Sequence, residues 1–133
     1  MHVRLGQRVR TGRLILWCLA ALACGQAEPA RPVTVNFELD PAAPVAGRAT
    51  RALVTLRTSD GDAIRGATLQ LEAHMSHPGM APVVAAFSES NDGVYAAPVD
   101  FTMAGDWVLV ASATLPDGRR VTQTQRVDVK TVP

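Results

Sequence analysis

Four of the five histidines and methionines beyond the N-terminal leader crowd into one short run, His74-Met75-Ser76-His77-Pro78-Gly79-Met80. The fifth, Met103, lies in Phe101-Thr102-Met103-Ala104-Gly105-Asp106-Trp107. Thioether sulfur and imidazole nitrogen together suit a soft or borderline metal. Methionine selects Cu(I), and imidazole serves copper in either oxidation state as well as zinc. Carboxylates are scarce in the run, so it does not support a calcium or magnesium site. His77 and Met80 fall in a loop, and Gly79 between them lets the backbone turn tightly enough to converge side chains. Two ligands are too few for a tight site, so a third from Met103 or His74 is required.

The same residues also have a packing reading. On a strand from Leu69, the side chains of Leu69, Leu71, Ala73 and Met75 share one face, and Gln70, Glu72 and His74 the other. Met75 then fills the core. His74 points the opposite way, so His74 and Met75 cannot hold one ion unless the strand stops before them. Met103 continues the parity of Tyr95, Ala97, Val99 and Phe101, which places it in the core too. Metal ligation and core packing are both open on residue types alone.

Enzymatic chemistry finds less support. Ser76 beside His77 is not a triad, because chain neighbours seldom present side chains in mutual reach and no elbow motif surrounds the serine. Asp100 and Asp106 near Trp107 do not define a glycosidase pair. No glycine-rich phosphate loop opens a helix, since no helix is expected. The chain is expected not to be an enzyme.

The elements that must position these residues have a period of two. Val33, Val35, Phe37 and Leu39 alternate with Thr34, Asn36 and Glu38. Further runs at 51–57, 69–75, 83–89, 94–101, 107–115 and 121–129 predict seven strands in all. Asp60-Gly61, Asp92-Gly93 and Asp117-Gly118 mark tight turns between them. Pro98 lies inside a run and implies an edge position or a bulge, because it cannot donate to a ladder. Asn91-Asp92-Gly93-Val94-Tyr95 resembles a tyrosine corner, in which the hydroxyl bonds back to the preceding turn; a solvent-facing hairpin tyrosine is the alternative. The prediction is an all-β, seven-stranded antiparallel immunoglobulin-like sandwich over residues 33–133.

Charge separates an address from this domain. Of 13 Lys+Arg and 12 Asp+Glu, the four arginines Arg4, Arg8, Arg10 and Arg13 precede an apolar stretch, Leu14 to Ala23. That stretch spans about 15 Å as a helix, too short for a hydrocarbon core of ~30 Å. Residues 1–23 therefore read as a signal peptide. Ala21-Leu22-Ala23 before Cys24-Gly25 also resembles a lipobox, with Ala21 where leucine is usual. Lipidation of Cys24, with residues 24–32 as a tether, gives a membrane-anchored lipoprotein; cleavage without acylation gives a periplasmic protein. From Gly25 onward nine basic residues face twelve acidic ones, a net of −3. That balance excludes a nucleic-acid partner. With Cys18 in the leader and Cys24 at its end, the domain has neither a disulfide nor a thiolate ligand.

The motifs His74-Met75-Ser76-His77-Pro78-Gly79-Met80, Gly93-Val94-Tyr95 and Phe101-Thr102-Met103-Ala104-Gly105-Asp106-Trp107 resemble the YtkA-like domain family, over Pro41 to Lys130. The resemblance implies a small exported β-sandwich, often membrane-tethered, related in pattern to FixH-like proteins. It also implies copper handling or support of haem-copper oxidase assembly, with a membrane complex or a metal-receiving protein as partner. His77, Met80 and Met103 match the family's motif residues, with His74 and Met75 as additions. Some members carry a denser methionine cluster ahead of the histidine, where this chain has Glu72-Ala73. A structural or protein-interaction module of the envelope is the competing function.

Overall fold

The computed structural model describes residues 29–133. The leader at 1–23, the lipidation candidate Cys24 and tether residues 24–28 lie outside the described residues. Among the described residues no helix is long and apolar enough to cross a membrane.

The alternating runs form eight strands: β1 Val33–Asp40, β2 Thr50–Thr58, β3 Thr68–Met75, β4 Val83–Ala86, β5 Ser88–Asn91, β6 Val94–Val99, β7 Gly105–Thr114 and β8 Arg120–Val129. They pair antiparallel into two four-stranded sheets, ordered β1-β2-β6-β5 and β4-β3-β7-β8. This is the expected immunoglobulin-like sandwich with one strand more than expected. The extra strand arises at Phe87. Half-buried and exposed residues alternate from Val83 to Ser88, but the chain crosses between sheets inside that run. Before the crossing β4 pairs with β3, and Phe87 N–H still donates to Leu69 O at 3.1 Å. After it, Ser88 lies opposite Ala96 on β6 in the other sheet. Residue types report which side chains face inward and say nothing about which neighbour supplies the hydrogen bonds.

Alternation fills the space between the sheets. Phe37 and Leu39 of β1, Val54 and Leu56 of β2, Leu69 and Leu71 of β3, and Leu109 of β7 are buried there with Phe101 and Trp107. Each such side chain contributes about 1.5–3 kcal/mol on burial. Val33 and Val35 are only half-buried at the mouth of the layer. Pro98 occupies an effective edge: it lies opposite Arg51 of β2, while β5 reaches no further along β6 than Ala96. One side of β6 is therefore unpaired there and needs no donor from proline.

Tyr95 departs from the expected corner. It is buried, and its hydroxyl donates to Ile64 O at 2.8 Å and accepts from Ala67 N–H at 3.1 Å. The partners belong to the loop between β2 and β3, not to the turn at Asn91-Asp92-Gly93. The hydroxyl thus ties a long connection to the sandwich instead of closing its own hairpin. Burial raises the Tyr95 pKa above the usual phenol value, and the negative charge of Glu89 adds to it against the hydrogen bond from Ala67.

The strand order sorts the connections into two groups. Loops 41–49, 76–82 and 100–104, with the end of β8, lie at one end of the sandwich. The residues before Val33, the β2–β3 connection, and the turns at Asp92-Gly93 and Asp117-Gly118 lie at the other. At the first end Ala46 N–H donates to Lys130 O at 2.9 Å, Lys130 N–H to Pro44 O at 3.0 Å, and Gly47 N–H to Phe101 O at 2.8 Å. These bonds bind the loop after β1 to both β8 and the β6–β7 connection. The loops at this end therefore have a common, fixed base.

Candidate metal centre

The two sequence motifs meet because β3 and β7 are neighbours. Their register sets Met75 opposite Trp107, and Ser76 N–H donates to Asp106 O at 3.0 Å, extending the ladder one residue past the strand. Beyond that bond the chain turns through Gly79, whose φ is +83°, and returns as β4. Glycine takes this left-handed conformation without the clash a side chain meets.

The β6–β7 connection is held from below. Phe101 and Trp107 are buried and pack edge to face, with ring centroids 5.3 Å apart and planes at 72°. Trp107 Nε1–H donates to Met103 O at 3.1 Å. Its backbone held there, Met103 projects outward and is 47% exposed. The parity that placed it in the core stops at Phe101, because β6 ends at Val99 and the loop breaks the alternation. Met103 is a surface thioether on a fixed backbone.

Met75 reaches the same place from β3. It packs against the core and is half-buried, as its parity predicted. It also lines an open cleft of about 360 Å³ together with His77, Met103, Gly105 and Asp106. Gly105 makes room for it. A Cβ on Gly105 would lie 3.2 Å from Met75 Cε, and the residue has φ +131°. A side chain at Gly105, unlike one at Gly79, would crowd a candidate ligand.

The remaining candidates lie elsewhere. His74 is on the outer face of its sheet, opposite Val108, where its Nε2 pairs with Glu72 Oε2 at 3.1 Å. Met80 is exposed in the loop and does not line the cleft. The structure thus brings together His77, Met103 and Met75, and leaves His74 and Met80 outside that group. Asp106 also borders the cleft, although on β7 it has the outward parity of Val108. Neighbouring strand β8 sets Asp128 opposite Asp106, and Lys130 Nζ pairs with Asp128. In the sequence Asp106 is distinguished only as an acid beside Trp107. Its place at the border of the cleft follows from the β3–β7 register, which no local pattern encodes.

Two methionines, one histidine and one aspartate therefore line the cleft. Among the described residues no three His, Cys, Asp or Glu side chains converge. A metal held at this end takes thioether ligands, and that donor chemistry fits Cu(I) better than zinc or a hard cation.

A family profile described as YtkA-like matches residues 27–111, more than half of the chain. The chain belongs to the YtkA-like family. The match starts in the tether and ends within β7, so it takes in both motifs and leaves β8 beyond it. Comparison with curated proteins gave no match. Among solved structures, this YtkA-like chain is similar to the Lin-41 filamin domain at 17% identity and a TM-score of 0.53, over 76% of this chain and 98% of that one. It is also similar to an engineered protein at 19% identity and a TM-score of 0.54, over 77% of this chain and 20% of that longer one. The soluble domain of PmoD from a Methylocystis species matches at 11% identity and a TM-score of 0.47, over 77% of this chain and 94% of that one. The first two likenesses show the sandwich fold and nothing of its chemistry.

Proposed function

We propose that this YtkA-like domain is an exported, non-enzymatic accessory protein that binds copper and passes it on, anchored to the membrane through a lipid on Cys24. His77, Met103 and Met75 are the ligands in this reading, and Asp106 offsets part of the ion's charge. The observation that carries it is the meeting of Met75, His77 and Met103 in one open cleft from two segments far apart in the chain. A general packing role explains Met75, but not a 47% exposed Met103 held by a buried tryptophan. The family's implied association with copper handling and haem-copper oxidase assembly points the same way, with a membrane complex or metal-receiving protein as partner.

Competition of the mature chain against a Cu(I) chelator tests this reading. Sub-micromolar binding is expected, lost in His77→Ala and Met103→Ala and retained in Met80→Ala and His74→Ala. Absence of binding, or binding indifferent to His77 and Met103, overturns it.

A second reading has its own observation. The Trp107–Met103 bond and the seating of Met75 Cε where a side chain on Gly105 would begin also stiffen the loop end, as an envelope interaction module requires. That reading expects Met103→Leu to leave function intact.

A further inference from the structure

The chain joins the sandwich at the end opposite the cleft, and it is fixed there. Pro32 O accepts from Ser59 N–H at 2.9 Å. Arg31 O accepts from the Arg119 guanidinium at 2.7 Å, and the Arg31 side chain lies 3.7 Å from Asp60. Pro29, Ala30 and Arg31 line a cavity of about 400 Å³ with Ile64, Leu115 and Arg119, and no histidine or methionine borders it. From Val33, β1 runs about 25 Å to Asp40 at the cleft end. Only Gly25, Gln26, Ala27 and Glu28 separate Cys24 from Pro29. That segment spans at most about 18 Å, less than the length of the domain.

We propose that the His77/Met103 end is held facing away from the chain's membrane attachment, as a docking surface for a water-soluble metal-binding domain rather than a bilayer-embedded one. The inference rests on Cys24 as the anchor and on copper at the cleft. Two facts carry it: Arg31 and Pro32 are bonded into the far end of the fold, and the four residues between Cys24 and Pro29 can span less than the sandwich. An exposed thioether and imidazole on an open cleft leave a coordination position that an incoming ligand can reach from the aqueous side. A bilayer-embedded acceptor would need the opposite orientation.

Energy transfer to the membrane measures this orientation. Once the leader is removed, Trp107 is the single tryptophan, since Trp17 belongs to residues 1–23. The full chain is matured in a bacterial membrane, purified, and placed in phosphatidylethanolamine/phosphatidylglycerol vesicles containing a dansyl lipid. Mass spectrometry of the N-terminus decides the anchor separately. A Cys24 that is unmodified or absent from the mature chain ends the lipid reading and overturns the orientation with it, whereas an acylated Cys24 leaves the orientation to the transfer measurement. Trp107 is expected to transfer weakly, and Ser59→Trp/Trp107→Phe several-fold more strongly. Ser59→Trp alone, with Trp107 kept, raises total transfer and covers a failure of the double variant to fold. Equal transfer from the two positions, or stronger transfer from Trp107, overturns the proposal. With Cu(I) bound, a sulfonated water-soluble chelator is expected to remove the ion equally fast from vesicle-attached and free chain. A loss of rate on attachment overturns it as well.

Discussion

Trp107, buried between the sheets, donates its indole N–H to the backbone oxygen of Met103, a residue whose own side chain is nearly half exposed. The bond couples the core to the rim of the cleft. Replacing Trp107 by alanine removes a large buried ring and is expected to cost roughly 3–5 kcal/mol in denaturant unfolding. Trp107→Phe keeps most of the packing and loses the hydrogen bond. It should cost about 1–3 kcal/mol and weaken Cu(I) binding, read by chelator competition under conditions where the variant remains folded.

Met75 and Met103 should part company when each is changed to leucine. Met75→Leu is nearly volume-conserving and should cost less than about 1.5 kcal/mol. Met103→Leu, at an exposed site, should change stability by no more than about 0.5 kcal/mol. Both should lose Cu(I) affinity. Thermal melts and metal titrations on the same samples separate the two effects, and unchanged affinity in both variants would leave the packing account standing.

Gly105→Ala places a methyl 3.2 Å from Met75 Cε at φ +131°. The backbone strain alone is about 1–3 kcal/mol, and Met75 must move as well. Gly79→Ala meets open space and has only its positive φ to overcome. Chemical denaturation should therefore rank Gly105→Ala as the more damaging of the two, and only Gly105→Ala should also perturb Cu(I) binding through Met75.

Tyr95→Phe leaves Ile64 O and Ala67 N–H without their shared partner and should destabilise by about 1–3 kcal/mol. The tyrosine also carries a pH signature. Its pKa in the folded chain is raised, chiefly by burial, so ionisation favours the unfolded chain. The stabilisation is complete below the ordinary phenol pKa of about 10 and is lost as pH rises through the higher folded value. Melts across the alkaline range should show this decline in the parent chain and a flatter curve in Tyr95→Phe.

Much of this architecture was legible in the chain. Alternation at Val33 to Leu39 and Leu69 to Met75 announced strands because side chains on an extended backbone point to opposite faces in turn, a rule that needs only neighbours. The Asp-Gly pairs located turns for a similarly local reason, the positive φ that glycine accepts. From the same local grammar came the opposite facing of His74 and Met75. Pairing partners are not local, and there the chain was silent. The crossing at Phe87 divided one predicted strand between two sheets, and the inward pattern of Val83, Ala85 and Phe87 gave no sign of it. Parity misplaced Met103 because the strand beneath it stops at Val99, where hydrogen bonding ends although residue types do not change abruptly. The distant partners of Tyr95 were equally invisible.

The sequence by itself determined that the domain is a cysteine-free β-sandwich with its soft donors confined to two short motifs. Only the tertiary structure decided that these motifs share an end, that Met75 joins His77 and Met103 there, and that Arg31 and Pro32 are bonded to the other end. The reason is physical: periodicity records how each segment meets a core, while the register of β3 against β7 and the order of the sheets arise from contacts between segments far apart in the chain.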